Sequence, residues 1–246
     1  MKKILFLLFS WFCFFQIQAG NKIFYLQGDA QHSKVIVTQG TSVSLNIPEL
    51  CGIIQFGIIK GNESIWFKDA KNLKVKQDDK IITYTLKDKI LGNGEIIFRM
   101  KPMKNADGLL IEMSCINCPE DANLLWCYGG AYNKVIKNKE DCMLLPEYCK
   151  ENIFSIERTS FCVYFGESMR FRTFQGITPL SSEIRICNAH QQLNPLQYFK
   201  SGKKTDAQSL GATCKLDNKH NSYFAFYAPN RYTDYNYFML SKLFNK

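Results

Sequence analysis

Two glutamates beside aromatic rings, three histidines, ten cysteines and a set of tryptophans and tyrosines are the residues of this chain whose types could do chemistry. Glu147, in Leu145-Pro146-Glu147-Tyr148, and Glu167, in Phe165-Gly166-Glu167-Ser168, are the weak candidates for a catalytic carboxylate pair. Such a pair cleaves a glycosidic bond when its members stand about 5 to 10 Å apart across the sugar. Each glutamate also suits an exposed turn, so no catalytic residue is assigned. Proton exchange on a sugar needs a base and an acid poised near neutrality, a task for histidine, whose free pKa is about 6.5. His190 lies in the polar run Asn188-Ala189-His190-Gln191-Gln192, while His32 and His220 sit in turn-like surroundings. A surface or hydrogen-bonded structural role is expected for all three.

Cys115-Ile116-Asn117-Cys118 has the two-residue gap of a zinc or redox pair, but Cys127, Cys142 and Cys149 do not supply a second such pair. No metal site is expected. The motif closes an apolar run before Pro119 and does not open a helix, so nothing there would lower a thiol pKa. Buried thiols, with one or two disulfides, are the expected state. Phosphate loops, serine nucleophile elbows and paired-histidine metal motifs are missing from the sequence, and no cofactor is expected.

Sugar binding asks for less, because a pyranose face stacks on an aromatic ring and its hydroxyls pair with amides and carboxylates. Trp66, Tyr132 and Tyr148 supply rings, and Asn133 and Gln191 supply amides. Trp126 and Tyr128 alternate along one strand and are read as core. Tyr132 and Asn133 are the preferred ligand-facing pair, because Leu124 to Tyr128 reads as a strand that Gly129-Gly130 turns into a loop.

The elements that must position these residues are strands. Short apolar or alternating runs recur at 23–26, 35–37, 43–47, 52–59, 81–86, 95–100, 109–115, 153–157, 161–165, 169–172, 183–187, 209–215 and 223–227, broken by polar turns. The first three are read as an edge sheet or appendage. The runs at 95–100 and 109–115 and the Trp126 strand are read as antiparallel neighbours, because their connections are too short for a parallel crossover. Helical periodicity appears only at the end, where Tyr237, Leu240 and Phe244 recur on one face. The expected fold is all-β, a large antiparallel two-sheet β-sandwich, with a short C-terminal helical segment.

Met1-Lys2-Lys3, the apolar run from Ile4 to Phe15 and the small residue Ala19 form the pattern of a secretory signal peptide, with cleavage expected after Ala19. That apolar run falls short of the roughly 20 residues of a membrane span, so none is expected after cleavage. Cys13 lacks the small residues that precede a lipidated cysteine. A periplasmic or secreted protein is therefore expected. The sandwich is read over residues 20–230, and residues 231–246 as a linker or the start of a helical domain. The net charge of +9 is spread along the chain, and Lys71, Lys74 and Lys76 are followed by Asp78 and Asp79. A solvated face is the expected role of that stretch, and nucleic acid is not an expected partner.

Five motifs carry a resemblance: Gly57-Ile58-Ile59-Lys60-Gly61-Asn62, Leu91-Gly92-Asn93-Gly94, Leu124 to Ala131, Leu145-Pro146-Glu147-Tyr148-Cys149-Lys150 and Tyr223-Phe224-Ala225-Phe226-Tyr227. In this order they resemble a domain of unknown function from secreted proteins of glycan-degrading gut anaerobes, where it precedes a helical toroid of the six-hairpin glycosidase type. The resemblance implies a mutarotase-like supersandwich and a noncatalytic accessory role. One loop would help wall a carbohydrate site, completed by a helical toroid domain in cis or in trans. Two other readings stay open: a self-sufficient sugar-active enzyme, epimerase or hydrolase, and a free-standing carbohydrate-binding module.

Overall fold

The structure is a computed structural model that describes residues 23–27, 34–38, 42–47, 50–132, 144–165, 173–202 and 204–246. The expected signal peptide, Asn133, Glu167 and the expected strand at 169–172 lie outside the described residues.

Two antiparallel sheets form the expected sandwich. The first runs β1 (Ile23–Gln27), β2 (Lys34–Thr38), β3 (Val43–Ile47), β4 (Leu50–Lys60), β10 (Ala122–Tyr132), β15 (Gln208–Lys215) and β14 (Glu183–Asn188), with β5 (Glu63–Trp66) paired to the end of β4. The second runs β11 (Asn152–Glu157), β12 (Ser160–Phe165), β13 (Thr173–Ile177), β16 (Ser222–Ala228), β9 (Asp107–Ile116), β8 (Glu95–Pro102), β7 (Ile81–Lys87) and β6 (Asn72–Asp78).

Strand alternation builds the core. Leu124, Trp126 and Tyr128 of β10 point into the space between the sheets, where Trp126 packs on Phe161 and Phe226 of the facing sheet. Leu125 and Cys127 point the other way, into a second apolar cluster on the outside of the first sheet. Trp126 and Tyr128 are thus core, as the alternation predicts.

Three expectations are corrected. First, the strand does not stop at the glycines: β10 continues to Tyr132, with Gly129 opposite Ile53 and Gly130 opposite Gly52. Neither glycine has a positive φ. Their lack of a side chain serves close packing, since a Cβ on Gly129 would lie 2.5 Å from Cys149 Sγ, and one on Gly130 would lie 2.6 Å from the Cys51 carbonyl oxygen. Second, β9 and β10 are not neighbours. The Ile116–Ala122 connection carries the chain from one sheet to the other, a route that a short connection permits as readily as a hairpin. Asn117 turns it at φ 51, and Asn218 holds it by accepting from Cys118 N at 2.8 Å and donating to Cys118 O at 2.8 Å. Third, β1, β2 and β3 are no appendage; they continue the first sheet from β4.

Residues 231–246 are the stretch expected as a linker or the start of a helical domain. They fold back on the sandwich, and their helix, α3 (Tyr237–Phe244), buries Leu240 and Phe244 against the outer face of β9 and β16. The face read from the sequence is the one that packs; its partner is the chain's own second sheet.

Candidate functional site

Trp66 and Tyr148, two of the predicted site residues, belong to the apolar cluster on the outside of the first sheet, which two short helices cover: α1 (Pro146–Cys149) and α2 (Pro195–Lys200). Both begin with a proline, whose fixed φ suits a first helical turn and whose missing N–H costs nothing there. Asn194 caps α2, its Oδ1 accepting from Gln197 N at 3.1 Å. Ser64 ties that cap to β5, donating to Asn194 Oδ1 at 2.9 Å and accepting from Leu196 N at 3.2 Å.

The floor beneath the helices is apolar and sulfur-rich, with Cys51, Cys127, Cys149 and Cys187 all buried beside Leu125, Trp66 and Tyr198. Burial pushes Cys149 and Cys187 each up to about 12. These thiols are protonated packing groups at neutral pH. Tyr198 is buried and donates to Leu210 O at 2.7 Å. Asn152 holds α1 in place: it accepts from Gly130 N at 3.0 Å and donates to Gly130 O at 2.7 Å and to Tyr148 O at 3.1 Å. One amide side chain so satisfies backbone groups of both the glycine strand and the helix.

The rim is polar. His190 Nε2 lies 2.9 Å from Asp206 Oδ1, both side chains exposed, and this hydrogen bond holds the Asp206 carboxyl below the usual carboxylate range. Gln191 is exposed in the same turn, and the adjacent Gln192 reaches across to donate to Leu144 O at 2.7 Å, joining this turn to the start of α1.

Among the predicted sugar-facing residues, Tyr148 is half-buried against the cysteine cluster and Gln191 is exposed nearby. Trp66 belongs to the same cluster but is only 2% exposed. Its ring meets Tyr198 edge-on at 5.8 Å and its Nε1 donates to Gln192 O at 2.8 Å, so neither ring face is open to a sugar. Tyr132 ends β10 opposite Leu50, and its side chain is outside the description. Glu147 is exposed on α1. What this arrangement offers is hydrogen bonding to hydroxyl groups around one partly exposed ring.

Sequence reasoning missed Glu112, Asn152 and Tyr198. Glu112 is the buried carboxylate of the second sheet, 5% exposed, accepting from Arg99 Nη1 at 2.9 Å and Tyr223 OH at 3.1 Å. Its signal was a single charge within the apolar run Leu109 to Met113, which demands a buried partner. Cys115 and Cys118 share a hydrogen bond that, with burial, drives the Cys115 thiol well up. All eight described cysteines are free thiols, so the expected disulfides do not form among them.

A two-sheet sandwich with short helices on its outer faces is also a fold found in glycosidases. A bacterial glucoamylase complexed with acarbose superposes with a TM-score of 0.61 and 11% identity over 87% of this chain and 33% of that one. The α-N-acetylgalactosaminidase NagBb from Bifidobacterium bifidum, in complex with GalNAc, superposes with a TM-score of 0.54 and 9% identity over 85% of this chain and 36% of that one. This chain therefore spans about a third of the length of either enzyme. At the level of sequence, residues 47–246 match the family described as Domain of unknown function (DUF4450), and the chain belongs to it. No curated protein matches the sequence.

Proposed function

We propose that this chain is the noncatalytic accessory sandwich of an exported glycosidase-like protein. In this reading it lends the surface around Tyr132, Tyr148 and Gln191 to a carbohydrate site that a helical domain completes. The observation that carries the reading is the size relation: the sandwich matches a third of each of two enzymes that act on glycans, leaving two thirds for the rest of the machinery. The carboxylates support it. Glu112 is already engaged by Arg99 and Tyr223, and Glu147 stands exposed on a one-turn helix, outside any enclosed pocket that could hold it across a sugar. Export, periplasmic or fully secreted, belongs to the same proposal and rests on the signal-peptide pattern of residues 1–19.

The test is turnover of the purified chain on starch-type and aminosugar glycans, alone and after addition or fusion of the protein's own helical domain. No hydrolysis by the chain alone and turnover only with the helical domain is the expected result. In the joined protein, Tyr132→Ala and Tyr148→Ala should raise KM more than they lower kcat. Turnover by the isolated chain that vanishes in Glu147→Gln would replace this reading with a self-sufficient enzyme.

A further inference from the structure

The lysine stretch read from the sequence as a solvated face lines a cleft. Lys74 and Lys76 of β6 stand on the same outer face as Thr83 and Thr85 of β7, around a cavity of about 630 Å³ on the second sheet. Strand alternation produces this: residues at i and i+2 share a face about 7 Å apart, so two rows of polar side chains face solvent side by side. Lys87, at the far end of the cleft, is neutralised by Glu95 at 2.8 Å. Among the described residues, no carboxylate pairs with Lys74 or Lys76.

A second cleft, of about 450 Å³, adjoins the first through the shared Asp78 and adds Lys101 and Lys104. Together the two clefts hold seven lysines against three side-chain carboxylates, and one of the seven, Lys104, donates to the Lys246 main-chain oxygen at 2.7 Å. Burial and then the nearby charges of Lys104 and Arg99 lower the pKa of Lys101, against a smaller opposing effect of the Glu112 carboxylate. β6 is an edge strand, and lysines guard such edges against pairing with other chains. Edge protection does not require the cationic run to continue to Lys101 of β8, two strands in from the edge, and to Lys104 in the turn that follows it.

We infer that this face binds an acidic polysaccharide, with Lys74, Lys76, Lys101 and Lys104 meeting carboxylate or sulfate groups while Thr83 and Thr85 meet sugar hydroxyls. The inference rests on the carbohydrate reading above and adds the chemical class of the glycan and a second place on the molecule where it is held. No aromatic side chain lines either cleft to stack a base or a sugar ring, so the ligand is held through charges and hydroxyls, which an acidic glycan carries along its whole length beside Thr83, Thr85 and Asn72.

The experiment is isothermal titration of the purified chain with polygalacturonate, dextran sulfate, amylose and single-stranded DNA at several salt concentrations. The same titrations are run on Lys74→Ala/Lys76→Ala and, as a control on another surface, Lys215→Ala/Lys219→Ala. All four lysines are exposed, and matched melting curves establish that each variant is folded. Expected is binding of an acidic polymer that weakens about tenfold in Lys74→Ala/Lys76→Ala, with the slope of log K against log salt falling by about two. The control should bind like the parent. Polygalacturonate and dextran sulfate separate carboxylate from sulfate as the recognised group. Failure to bind either polymer, equal weakening in both double variants, or DNA bound as tightly as the glycan would each overturn the inference. Amylose bound equally by parent and Lys74→Ala/Lys76→Ala, with no acidic polymer bound, would remove this site and leave the accessory-domain reading intact.

Discussion

Replacing Gly130 by alanine tests whether packing, not a turn, explains the glycine pair. The new methyl would lie 2.6 Å from the Cys51 carbonyl oxygen, 2.8 Å from Tyr128 OH and 3.1 Å from Phe165 Cε1. The first obstacle is backbone of the paired strand β4, so relief requires β4 and β10 to separate locally, which also disturbs the two Asn152 hydrogen bonds to Gly130. Overpacking of this kind costs about 1–3 kcal/mol, while Gly→Ala returns about 0.4–1 kcal/mol by restricting the unfolded chain. The midpoints leave a net loss of about 1.3 kcal/mol, which lowers Tm by about 3–5 °C in a domain of this size. At Gly129 the methyl meets Cys149 Sγ and Leu144 Cδ1, each at 2.5 Å, and both are side-chain termini that can turn aside. Gly129→Ala should therefore cost less than Gly130→Ala. Cys149→Ala should relieve Gly129→Ala by about 0.5 kcal/mol or more beyond additivity and leave Gly130→Ala unrelieved. Urea and thermal unfolding of the five variants measure this. A Gly130→Ala protein as stable as the parent, or Cys149→Ala strictly additive with Gly129→Ala, would refute the packing argument.

Trp126→Ala should cost about 3–5 kcal/mol in urea unfolding, since the ring is fully buried against Phe161 and Phe226. Trp126→Phe should cost distinctly less, because the indole N–H it removes has no hydrogen-bond partner among the described residues; equal losses would place the energy in that N–H. Tm should fall as pH rises from about 9 to 11: burial holds Cys149, Cys187 and Cys214 at about 12 in the folded protein, whereas their unfolded thiols ionise near 8.5. The folded state then binds more protons than the unfolded one, so stability declines across this window; a flat profile would mean that the thiols are not sealed.

The sandwich was legible because alternation is a local signal. Trp126 and Tyr128 fall two residues apart, and that spacing alone assigns them to one face and Leu125 and Cys127 to the other. What was not legible depends on partners distant in the chain. The Gly129-Gly130 pair reads as a turn until Cys149 and Cys51 are seen to occupy the space where side chains would be. Trp66 reads as an available ring until Tyr198 and Gln192, more than 120 residues later, cover it. Helices α1 and α2 are too short to show a period, and their real signals were Pro146 and Pro195 at their first turns.

The C-terminal helix bears directly on how a helical domain could join this one. Eight residues are too few for a helix to persist alone in water, so α3 owes its stability to the second sheet. Leu240 and Phe244 are buried there, the Phe244 ring lying beneath Lys101 Nζ at 5.0 Å and the Arg99 guanidinium at 5.4 Å. Peeling α3 away would expose these two side chains at about 1.5–3 kcal/mol each, along with the partly buried Tyr237 and Leu243. A partner domain gains more by leaving the helix in place and covering what it already presents, Phe238 at 78% and Met239 at 39% exposure, with Tyr232 at 68% just ahead of it. In the proposed two-domain protein, α3 is therefore a fixed part of the sandwich that offers its outer side to the partner.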